Sequence, residues 1–336
     1  MLLRKMCRDM RNNLAQFISI FLLAIIGVLV YSGINAEWYG MQTEVEKYYV
    51  ETCLPDLWVV GASFTRSDVE KVKTLSGVSA VASRLTFDVV VNSGKDQTLR
   101  VNLVEEMTLS APRVIAGRAF TPTEDGLWLD ASFARANQLD VGEKISFEVM
   151  GVEFEKEILG LIIHPEYVHN VKDETAFMPS PETFGFAFLS AAALPGKLPI
   201  PYNQLLIVVD EGEDVKRISS ELEALFSHRY CLIIDRDTHP SVATFANEIQ
   251  QNKALGGVFP IIFFLIAALT MLTTMTRMTS NQRTQIGVLK ALGFSRRQIQ
   301  FHYVSYGLWL GLLGGVIGLL IGPLFIPPIL FTMQKS

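Results

Sequence analysis

The chain contains three long stretches without charged residues, and a long polar region lies between the first two. Residues 15–36, 256–276 and 303–333 contain no Asp, Glu, Lys or Arg. About 20 helical residues are enough to cross a bilayer, so each stretch predicts a transmembrane helix, and we place the third span at residues 303–323. Residues 37–255 mix polar and apolar positions instead. The sequence therefore predicts a membrane protein with three transmembrane α-helices and one α+β domain.

The polar region combines strand-like and helical periodicities. Its strands are predicted at residues 57–60, 78–91, 99–104, 144–149, 154–162, 205–209 and 230–234. One helix is expected to start at the capping pair Thr65 and Asp68, and a second is expected at residues 214–226. Residues 112–199 are rich in Gly, Pro and short strand candidates. We therefore expect two βαβ-like halves around a β-rich insertion.

The charge changes sign at the predicted membrane crossings. Residues 1–36 and 277–302 together hold nine Lys/Arg and one acid, whereas residues 37–276 hold nineteen Lys/Arg and thirty-three Asp/Glu. Basic flanks of membrane helices stay in the cytoplasm. We therefore expect a cytoplasmic amino terminus, an extracytoplasmic domain at residues 37–255 and an outer tail at residues 324–336.

The amino terminus alternates basic and apolar residues at helical spacing. Residues 1–14 predict an amphipathic helix on the cytoplasmic face of the membrane, bound to anionic lipid; a plain basic flank is the alternative. The following apolar core is longer than the 7–15 residues of a usual signal peptide, and Ile34 occupies the position where a cleavage site needs a small residue. Residues 15–36 are therefore interpreted as an uncleaved first span.

Prolines and glycines add expectations for the later spans. Pro260 is expected in the first turn of the second span, where its missing N–H costs little. Pro323, Pro327 and Pro328 are expected to end the third span. Glycines at mostly four-residue spacing predict close helix packing, although glycine is also common in membrane helices generally: Gly307, Gly311, Gly314, Gly318 and Gly322.

No motif for catalysis or nucleotide binding occurs in the sequence. It contains no G-x-x-x-x-G-K-[ST] phosphate loop. Any ATP-driven activity must therefore depend on a separate subunit that binds ATP and Mg²⁺. Neither protease nor esterase motifs are found. We expect no catalytic residue, no bound cofactor and no nucleic-acid partner.

Histidines and cysteines give no metal-site pattern. The domain's histidines, His164, His169, His228 and His239, lack zinc-ligand spacing. Cys7 is expected inside. Cys53 and Cys231 would both lie outside, where they could pair or remain isolated thiols.

Residues 277–302 form a basic segment between two spans. The segment contains no acid, and its basic residues are Arg277, Arg283, Lys290, Arg296 and Arg297. Ile286, Leu289 and Leu292 give a three-residue apolar spacing, Gly293 can cap a helix, and Ser295 with Gln298 forms an S-x-x-Q capping box. A helix, a break and a second helix are expected; an ordinary loop that only sets topology is the alternative.

The stretch IGVLKALGFSRRQI resembles the cytoplasmic signature of FtsX-like, MacB-type ABC permeases, and both ends of the chain resemble the large Gram-positive-type members. The resemblance implies that this segment docks on a separate ATPase subunit. The implied coupling residues are Arg283, Ile286, Gly287, Leu289, Lys290, Ala291, Leu292, Gly293, Ser295 and Arg296. Many members have Glu where this chain has Gln285, so any ion pair made by that Glu is absent here.

The family pattern implies further helices and a second permease half or copy, so the chain is expected to be an amino-terminal portion or a split subunit. Its expected role is that of a multi-pass permease in a bacterial cell membrane, in contact with lipid. The permease would transmit ATPase movements to the outer domain for export or extraction of lipid, lipoprotein or peptide. The alternative is a non-transporting scaffold that activates an extracytoplasmic enzyme or signalling partner.

Overall fold

The computed structural model describes residues 2–149, 151–172, 179–193 and 201–333, with side chains for all of these except 2–4, 7 and 326–333. The predictions about the Cys7 side chain and about residues 334–336 lie outside the described residues. The chain divides into a helical unit, Met1–Glu44 with Glu248–Ser336, and a sheet unit, Val45–Asn247. The sheet unit is narrower than the predicted range of 37–255.

The helices and strands are numbered in chain order. The described helices are α1 (Leu2–Asn12), α2 (Leu14–Glu51), α3 (Arg66–Lys73), α4 (Ala131–Ala136), α5 (Val215–Leu225), α6 (Pro240–Asn281), α7 (Arg283–Ala291) and α8 (Arg296–Met333). The described strands are β1 (Leu57–Phe64), β2 (Val78–Val91), β3 (Thr98–Val104), β4 (Arg113–Gly117), β5 (Leu127–Asp130), β6 (Lys144–Val149), β7 (Val152–Ile163), β8 (Phe184–Ser190), β9 (Tyr202–Val209) and β10 (Cys231–Asp235).

Three helices are long and apolar enough to cross a membrane. Within the described residues they are Leu14–Glu51, Pro240–Asn281 and Arg296–Phe325. Each contains one of the uncharged stretches. Together with the mixed α/β sheet unit, they confirm the fold class expected from the sequence.

Two predictions about proline are wrong. Pro260 does not lie in a first turn, because α6 begins at Pro240 and holds Pro260 in its interior. The helix already includes residues 240–255, which precede the uncharged apolar stretch and mix polar with apolar residues. Hydropathy alone could not show this earlier start. Pro323, Pro327 and Pro328 do not end α8, which continues past all three to Met333. Membrane helices tolerate internal proline because neighbouring groups can satisfy the carbonyl that it frees.

The sheet unit is built on one mixed sheet. Its strand order is β10–β1–β9–β2–β3–β8–β5–β7–β4, and β6 pairs with β2 and β7. β1 and β2 both run antiparallel to β9, and β9 and β10 both run antiparallel to β1. The units β1–α3–β2 and β9–α5–β10 are thus two interleaved split βαβ units, the ferredoxin-like arrangement. They are the two βαβ-like halves expected from the sequence.

β2 joins these halves to the inserted strands. Its residues 78–84 pair with β9, and its residues 84–90 pair with β3. β3 in turn pairs in parallel with β8, a fully buried strand of the insertion that the sequence did not predict. The inserted part of the sheet therefore begins with β3, before the predicted boundary at residue 112.

The period-two alternation of the strands divides the sheet into separate cores. Val72 on α3 and Ile218 and Leu222 on α5 are fully buried in one core with Leu57 and Val59 of β1. Trp58 points to the opposite face, as strand geometry requires, and belongs to a different cluster. Thr65 and Asp68 form the capping box predicted for α3.

A buried ion pair lies where β2 changes partners. Arg84 donates from Nη1 to Glu166 Oε1 at 3.0 Å and from Nη2 to the other carboxylate oxygen, and both side chains are almost fully buried. Arg84 Nε also donates to Gln204 Oε1 at 2.7 Å, and the Ser110 hydroxyl donates to Glu166. Burial by itself raises the pKa of Glu166, but the charge of Arg84 and the hydrogen bonds from Arg84 outweigh it and lower that pKa to about 2.

His164 has a structural role beside this pair. The Glu166 backbone N–H donates to His164 Nδ1 at 3.2 Å, so Nε2 carries the proton and donates to the Ser110 carbonyl at 2.7 Å. Burial lowers the pKa of His164 to about 4, which keeps the ring neutral. No group of three His, Cys, Asp or Glu residues in the described part of the chain could hold a metal ion. Cys53 and Cys231 are free thiols.

In the helical unit, glycines bring α8 against α2. A Cβ atom on Gly318 would lie 2.7 Å from Ile25 O, and one on Gly314 would lie 3.0 Å from Ala24 Cβ. Gly322 lies equally close to the backbone of α2, where its Cβ would meet Leu29 O at 2.6 Å. The Ser32 hydroxyl also donates to the Gly318 carbonyl at 3.1 Å.

The other two glycines do not contact α2 in this way. A Cβ on Gly307 would lie 2.9 Å from Met271 Cε on α6, whereas one on Gly311 would have no neighbour within 4 Å. Gly311 therefore does not take part in this packing. The α8–α2 contact depends on Gly314, Gly318 and Gly322.

The ion pair predicts a large effect of Glu166→Gln on the stability of the sheet unit. The variant leaves Arg84 buried without a counter-charge, which costs about 3–5 kcal/mol. We expect faster hydrogen exchange of the β2 and β9 amides in the detergent-solubilised full chain. In the double variant Arg84→Met with Glu166→Leu, protection should largely return, because no charge is left buried. Equal protection in wild type and Glu166→Gln would contradict this.

The same pair predicts a pH window. The folded-state pKa of Glu166, about 2, lies below its ordinary value of 4.5, so the stability it contributes is complete above pH 4.5 and is lost as the pH falls towards 2. The difference in amide protection between wild type and Glu166→Gln should therefore narrow from pH 4.5 downwards. A difference that stays constant to about pH 2.5 would be inconsistent with a charged Glu166.

The glycine contacts predict that Gly318→Leu separates α8 from α2. Overpacking at such a site costs about 1–3 kcal/mol. Ala24→Cys with Gly314→Cys, in a chain whose native cysteines are replaced by serine, should form a disulfide on mild oxidation, and Gly318→Leu should abolish it. Gly311→Leu is the matched control, because its added side chain has open space, and it should leave the cross-link intact. Loss of the cross-link in both variants would contradict this specific contact.

Candidate coupling site

The basic segment folds as a short helix, a tight break and the start of a long helix. α7 ends in a Schellman motif: Gly293 has φ +91°, its N–H donates to Lys290 O at 3.0 Å, and Phe294 N–H donates to Leu289 O at 3.1 Å. Ser295 and Gln298 then exchange side-chain and backbone hydrogen bonds at 2.9 and 3.3 Å. Both predicted caps are present, so the break has a defined geometry.

The inner side of α7 packs on an apolar group at one end of the helical unit, here called the basal cluster. Its buried members are Met6, Phe17, Ile20, Met278, Ile299, Tyr303, Tyr306 and Leu310. Ile286, Leu289 and Phe294 pack against it and are partly buried. Leu289 and Phe294 also occupy the two positions whose apolar side chains usually accompany a Schellman motif. α7 is therefore held by the tertiary structure as well as by its caps.

The outer side of α7 divides the predicted coupling residues into two groups. Leu292 is 63% exposed, so it does not share a face with Ile286 and Leu289, as the three-residue spacing suggested. Val288, which the sequence reasoning did not select, is 54% exposed. The remaining predicted residues are all exposed: Arg283, Gly287, Lys290, Ala291, Gly293, Ser295 and Arg296.

This exposed surface combines apolar and basic groups. Within the described part of the chain, no acid lies within ion-pair distance of Arg283, Lys290 or Arg296. Exposed apolar residues with a charged rim mark sites of protein association. Basic residues without counter-charges favour an acidic partner surface.

α1 is joined to the same region through a buried acid. Asp9 is only 4% exposed, and its carboxylate accepts hydrogen bonds from Lys5 at 2.5 Å and from the Tyr306 hydroxyl at 3.0 Å. Lys5 also donates to Gln282 Oε1 at 2.7 Å, and Tyr303 donates to the same oxygen at 2.9 Å. α1 is thus docked on α8 and on the link between α6 and α7.

This docking modifies the sequence interpretation of α1. Its apolar face was expected to lie on lipid, but Met6 is buried in the basal cluster and Met10 packs against it. The sequence did contain a signal for this contact, because Asp9 is the one acid among residues 1–36. An acid in a basic, lipid-facing helix is out of place unless a protein partner holds it. That partner, Tyr306, lies 297 residues further along the chain.

Two family models match the chain, one over its amino-terminal two thirds and one over its carboxyl-terminal part. A model described as FtsX-like permease C-terminal matches residues 257–336, and one described as MacB-like periplasmic core domain matches residues 20–225. The second match alone covers more than half of the chain. The first includes the whole of the capped helix–break–helix segment.

Known proteins give a consistent but partial comparison. An uncharacterised ABC transporter permease of Methanocaldococcus jannaschii is 31% identical over 128 residues, which are 36% of this chain and 31% of that protein. The match thus spans about a third of the length of that relative.

Two solved structures are similar to part of the chain. The extracellular domain of the noncanonic ABC-type transporter YknZ from Gram-positive bacteria is 12% identical, with a TM-score of 0.36, over 54% of this chain and 99% of that one. The periplasmic region of MacB from Actinobacillus actinomycetemcomitans is 11% identical, with a TM-score of 0.36, over 62% and 98%. Assignment rests on the family models, which match both units, and on their evidence the chain belongs to the FtsX-like, MacB-type family of ABC transporter permeases.

Proposed function

We propose that this chain is the transmembrane subunit of an ABC-type complex and that the outer side of α7 docks on a cytoplasmic ATPase subunit. The observation that carries the proposal is the exposed pair Val288 and Leu292 on a helix whose opposite side is anchored in the basal cluster. Such a helix can receive a force without being displaced from its own protein. ATP and Mg²⁺ would bind in the ATPase subunit.

The basic residues around this pair fit an acidic ATPase surface. Arg283 and Lys290 lie on α7 and Arg296 starts α8. Complementary charge at the rim of an interface favours the correct partner and speeds association more than it adds affinity. Val288 and Leu292 would therefore supply most of the binding free energy, and the basic residues would orient the partner.

Transmission would follow the contacts of the basal cluster. Ile286 and Leu289 pack against the basal cluster, whose members come from α1, α2, α6 and α8, so movement of α7 would be passed to these helices through the cluster. A partner can shift such an arrangement only by binding two states with different affinity. Closure of the ATPase subunits on ATP supplies that difference if the α7 surface fits the closed dimer better than the open one.

The permease would lie in a bacterial cell membrane with its amino terminus and α7 in the cytoplasm and the sheet unit outside. This multi-pass orientation is supported by the excess of Lys/Arg in residues 1–36 and 277–302 and of acids in residues 37–276. A second permease half or a second copy would complete the membrane part.

Mechanical work on the outer domain fits this arrangement better than a hydrophilic conduit. The predicted spans 15–36, 256–276 and 303–323 contain no charged residue, whereas polar substrate paths through membranes are marked by ionisable side chains. We therefore propose export or extraction of a lipid, a lipoprotein or a peptide, with the sheet unit as the moving outer part.

The docking surface predicts that Val288→Asp and Leu292→Asp weaken binding of the ATPase. Each variant places a carboxylate in an apolar contact, and we expect binding at least about tenfold weaker, equivalent to about 1.4 kcal/mol. The measurement is ATPase activity stimulated by the purified chain, with the ABC ATPase that co-purifies with it from its host. Gln300→Asp is the matched control, because it adds the same charge to an exposed polar position of the same segment but outside α7. Thr284 cannot serve as the control, because it lies four residues before Val288 and therefore on the same helix face.

Leu289→Asp and Gly293→Pro are expected to uncouple the ATPase for a different reason. They break the anchor and the left-handed cap rather than the docking surface, so the engineered cross-link between positions 24 and 314 serves as a fold check. Stimulation unchanged in Val288→Asp and Leu292→Asp would sink the docking role. A second assay separates transport from a scaffold role. The chain and its ATPase are reconstituted in vesicles that contain a fluorescent lipid, and dithionite quenching reports which leaflet holds that lipid. ATP-dependent movement of the lipid supports transport, and partner-dependent ATPase activity without movement supports a scaffold.

The orientation predicts opposite labelling of two cysteines. Cys53 is exposed on the sheet unit, and in a chain with Cys7→Ser and Cys231→Ser a membrane-impermeant maleimide should label it in intact cells. With Cys53 also replaced by serine, the variant Gln300→Cys, at a position exposed on the first turns of α8, should react only after the membrane is opened. The reverse pattern would overturn the orientation.

A further inference from the structure

A groove runs along α8 beside α1 in the helical unit. It is lined by one stripe of α8, Arg297, Phe301, Ser305 and Trp309, which repeat every four residues and so lie on one helix face. Met6 of α1 forms the facing wall and His302 belongs to the floor. Both of these are almost fully buried, whereas Phe301 is 70% exposed.

The groove changes from polar to apolar along its length. At one end, Arg297 has no acid within ion-pair distance in the described part of the chain. Its neighbour Gln298 uses its carbonyl oxygen to accept from Ser295 N–H, so its amide N–H groups remain as donors. Beyond this end the exposed lining is provided by Phe301 and Trp309, since the Ser305 hydroxyl is turned back to the His302 carbonyl at 2.6 Å.

The dimensions match one leaflet of a bilayer. Arg297 and Trp309 are twelve residues apart, which corresponds to about 18 Å along a helix. The hydrocarbon of one leaflet is about 15 Å thick. A headgroup phosphate held at Arg297 therefore places an acyl chain along Phe301 and Trp309. The aromatic rings of these two residues provide apolar contact for the acyl chain.

We propose that this groove binds an anionic phospholipid of the leaflet on the coupling side of the membrane, with its phosphate on Arg297 and Gln298 and an acyl chain along Phe301 and Trp309. The proposal deepens the proposed function, because it assigns Arg297 to lipid and leaves Arg283, Lys290 and Arg296 to the ATPase. A helix of a second copy is disfavoured as the occupant, because it would have to bring an acid to the membrane surface to satisfy Arg297.

The lipid would act on coupling through α1. Met6 contacts the groove on one side and the basal cluster on the other, and it lies one turn from the Asp9–Tyr306 hydrogen bond. A lipid in the groove touches α1 and α8 together and so stabilises the docked position of α1. The same contacts hold the inner side of α7, which makes the response of α7 dependent on lipid composition.

The test uses quenching of Trp309 fluorescence by brominated lipids in nanodiscs that contain the full chain. The signal of Trp309 is the difference between wild type and Trp309→Phe. We expect brominated phosphatidylglycerol, titrated into a phosphatidylcholine background, to quench it at lower mole fraction than brominated phosphatidylcholine does. Arg297→Gln should raise the half-quenching fraction of phosphatidylglycerol about fivefold, as expected for the loss of one basic contact.

Arg296→Gln is the matched control, because it removes the adjacent exposed charge, which does not line the groove, and it should leave the half-quenching fraction unchanged. The cross-link between positions 24 and 314, placed in each variant, verifies that the helices remain packed. Equal quenching by both lipids, or equal effects of Arg296→Gln and Arg297→Gln, would overturn the proposal.

Protection of Trp309 from both lipids, together with cross-linking between copies through Trp309→Cys, would also overturn the proposal and assign the groove to a second copy. Failure here is distinguishable from failure of the docking proposal. The docking proposal depends on stimulated ATPase activity in Val288→Asp and Leu292→Asp, which is measured at constant lipid composition. The lipid proposal depends on the selectivity of quenching without any ATPase present.

Discussion

The buried carboxylate of Asp9 is the constraint on which the base of the helical unit depends. Removing a charge from water costs several kcal/mol unless partners replace the water, and here Lys5 and the Tyr306 hydroxyl replace it. Lys5 is also hydrogen-bonded to Gln282, between α6 and α7. The Asp9 carboxylate therefore has both partners only when α1 is docked on α8, and Lys5 extends the contact to the link between α6 and α7. This requirement makes the surface under α7 a folded structure rather than a lipid-bound loop.

The close contact of α8 with α2 extends this order along the spans. Within lipid there is little hydrophobic driving force between helices, so association depends on close packing and on polar contacts between helices. Gly314, Gly318 and Gly322 permit the backbones to approach, and the Ser32 hydroxyl adds a hydrogen bond to the Gly318 carbonyl. α7 packs on the basal cluster, which also includes Phe17 and Ile20 near the start of α2. A displacement of α7 therefore reaches α2 directly at these residues as well as through α8.

In the sheet unit, β2 has the corresponding role. It pairs with β9 of the split βαβ core and with β3 of the inserted strands. Arg84 is the residue at which β2 changes from pairing with β9 to pairing with β3. Its ion pair with Glu166 fixes the polar contacts at that point. The two parts of the sheet are therefore connected by continuous main-chain hydrogen bonding and by one buried ion pair, an arrangement that transmits strain instead of absorbing it.

Sequence by itself determined the features whose causes are local: the uncharged stretches, the long strand β2 and both caps of the coupling segment. Local pattern was insufficient at the prolines inside α6 and α8, because membrane helices tolerate internal proline. Only the tertiary structure decided which side of α7 is anchored, because Val288 and Leu289 are both apolar and differ only in what lies beside them. It also decided that Gly311 has space beside it whereas Gly318 lies against the backbone of α2, and that Asp9 bonds to α8. Periodicity along the chain carries no information about such distant partners, since they are chosen by packing in space.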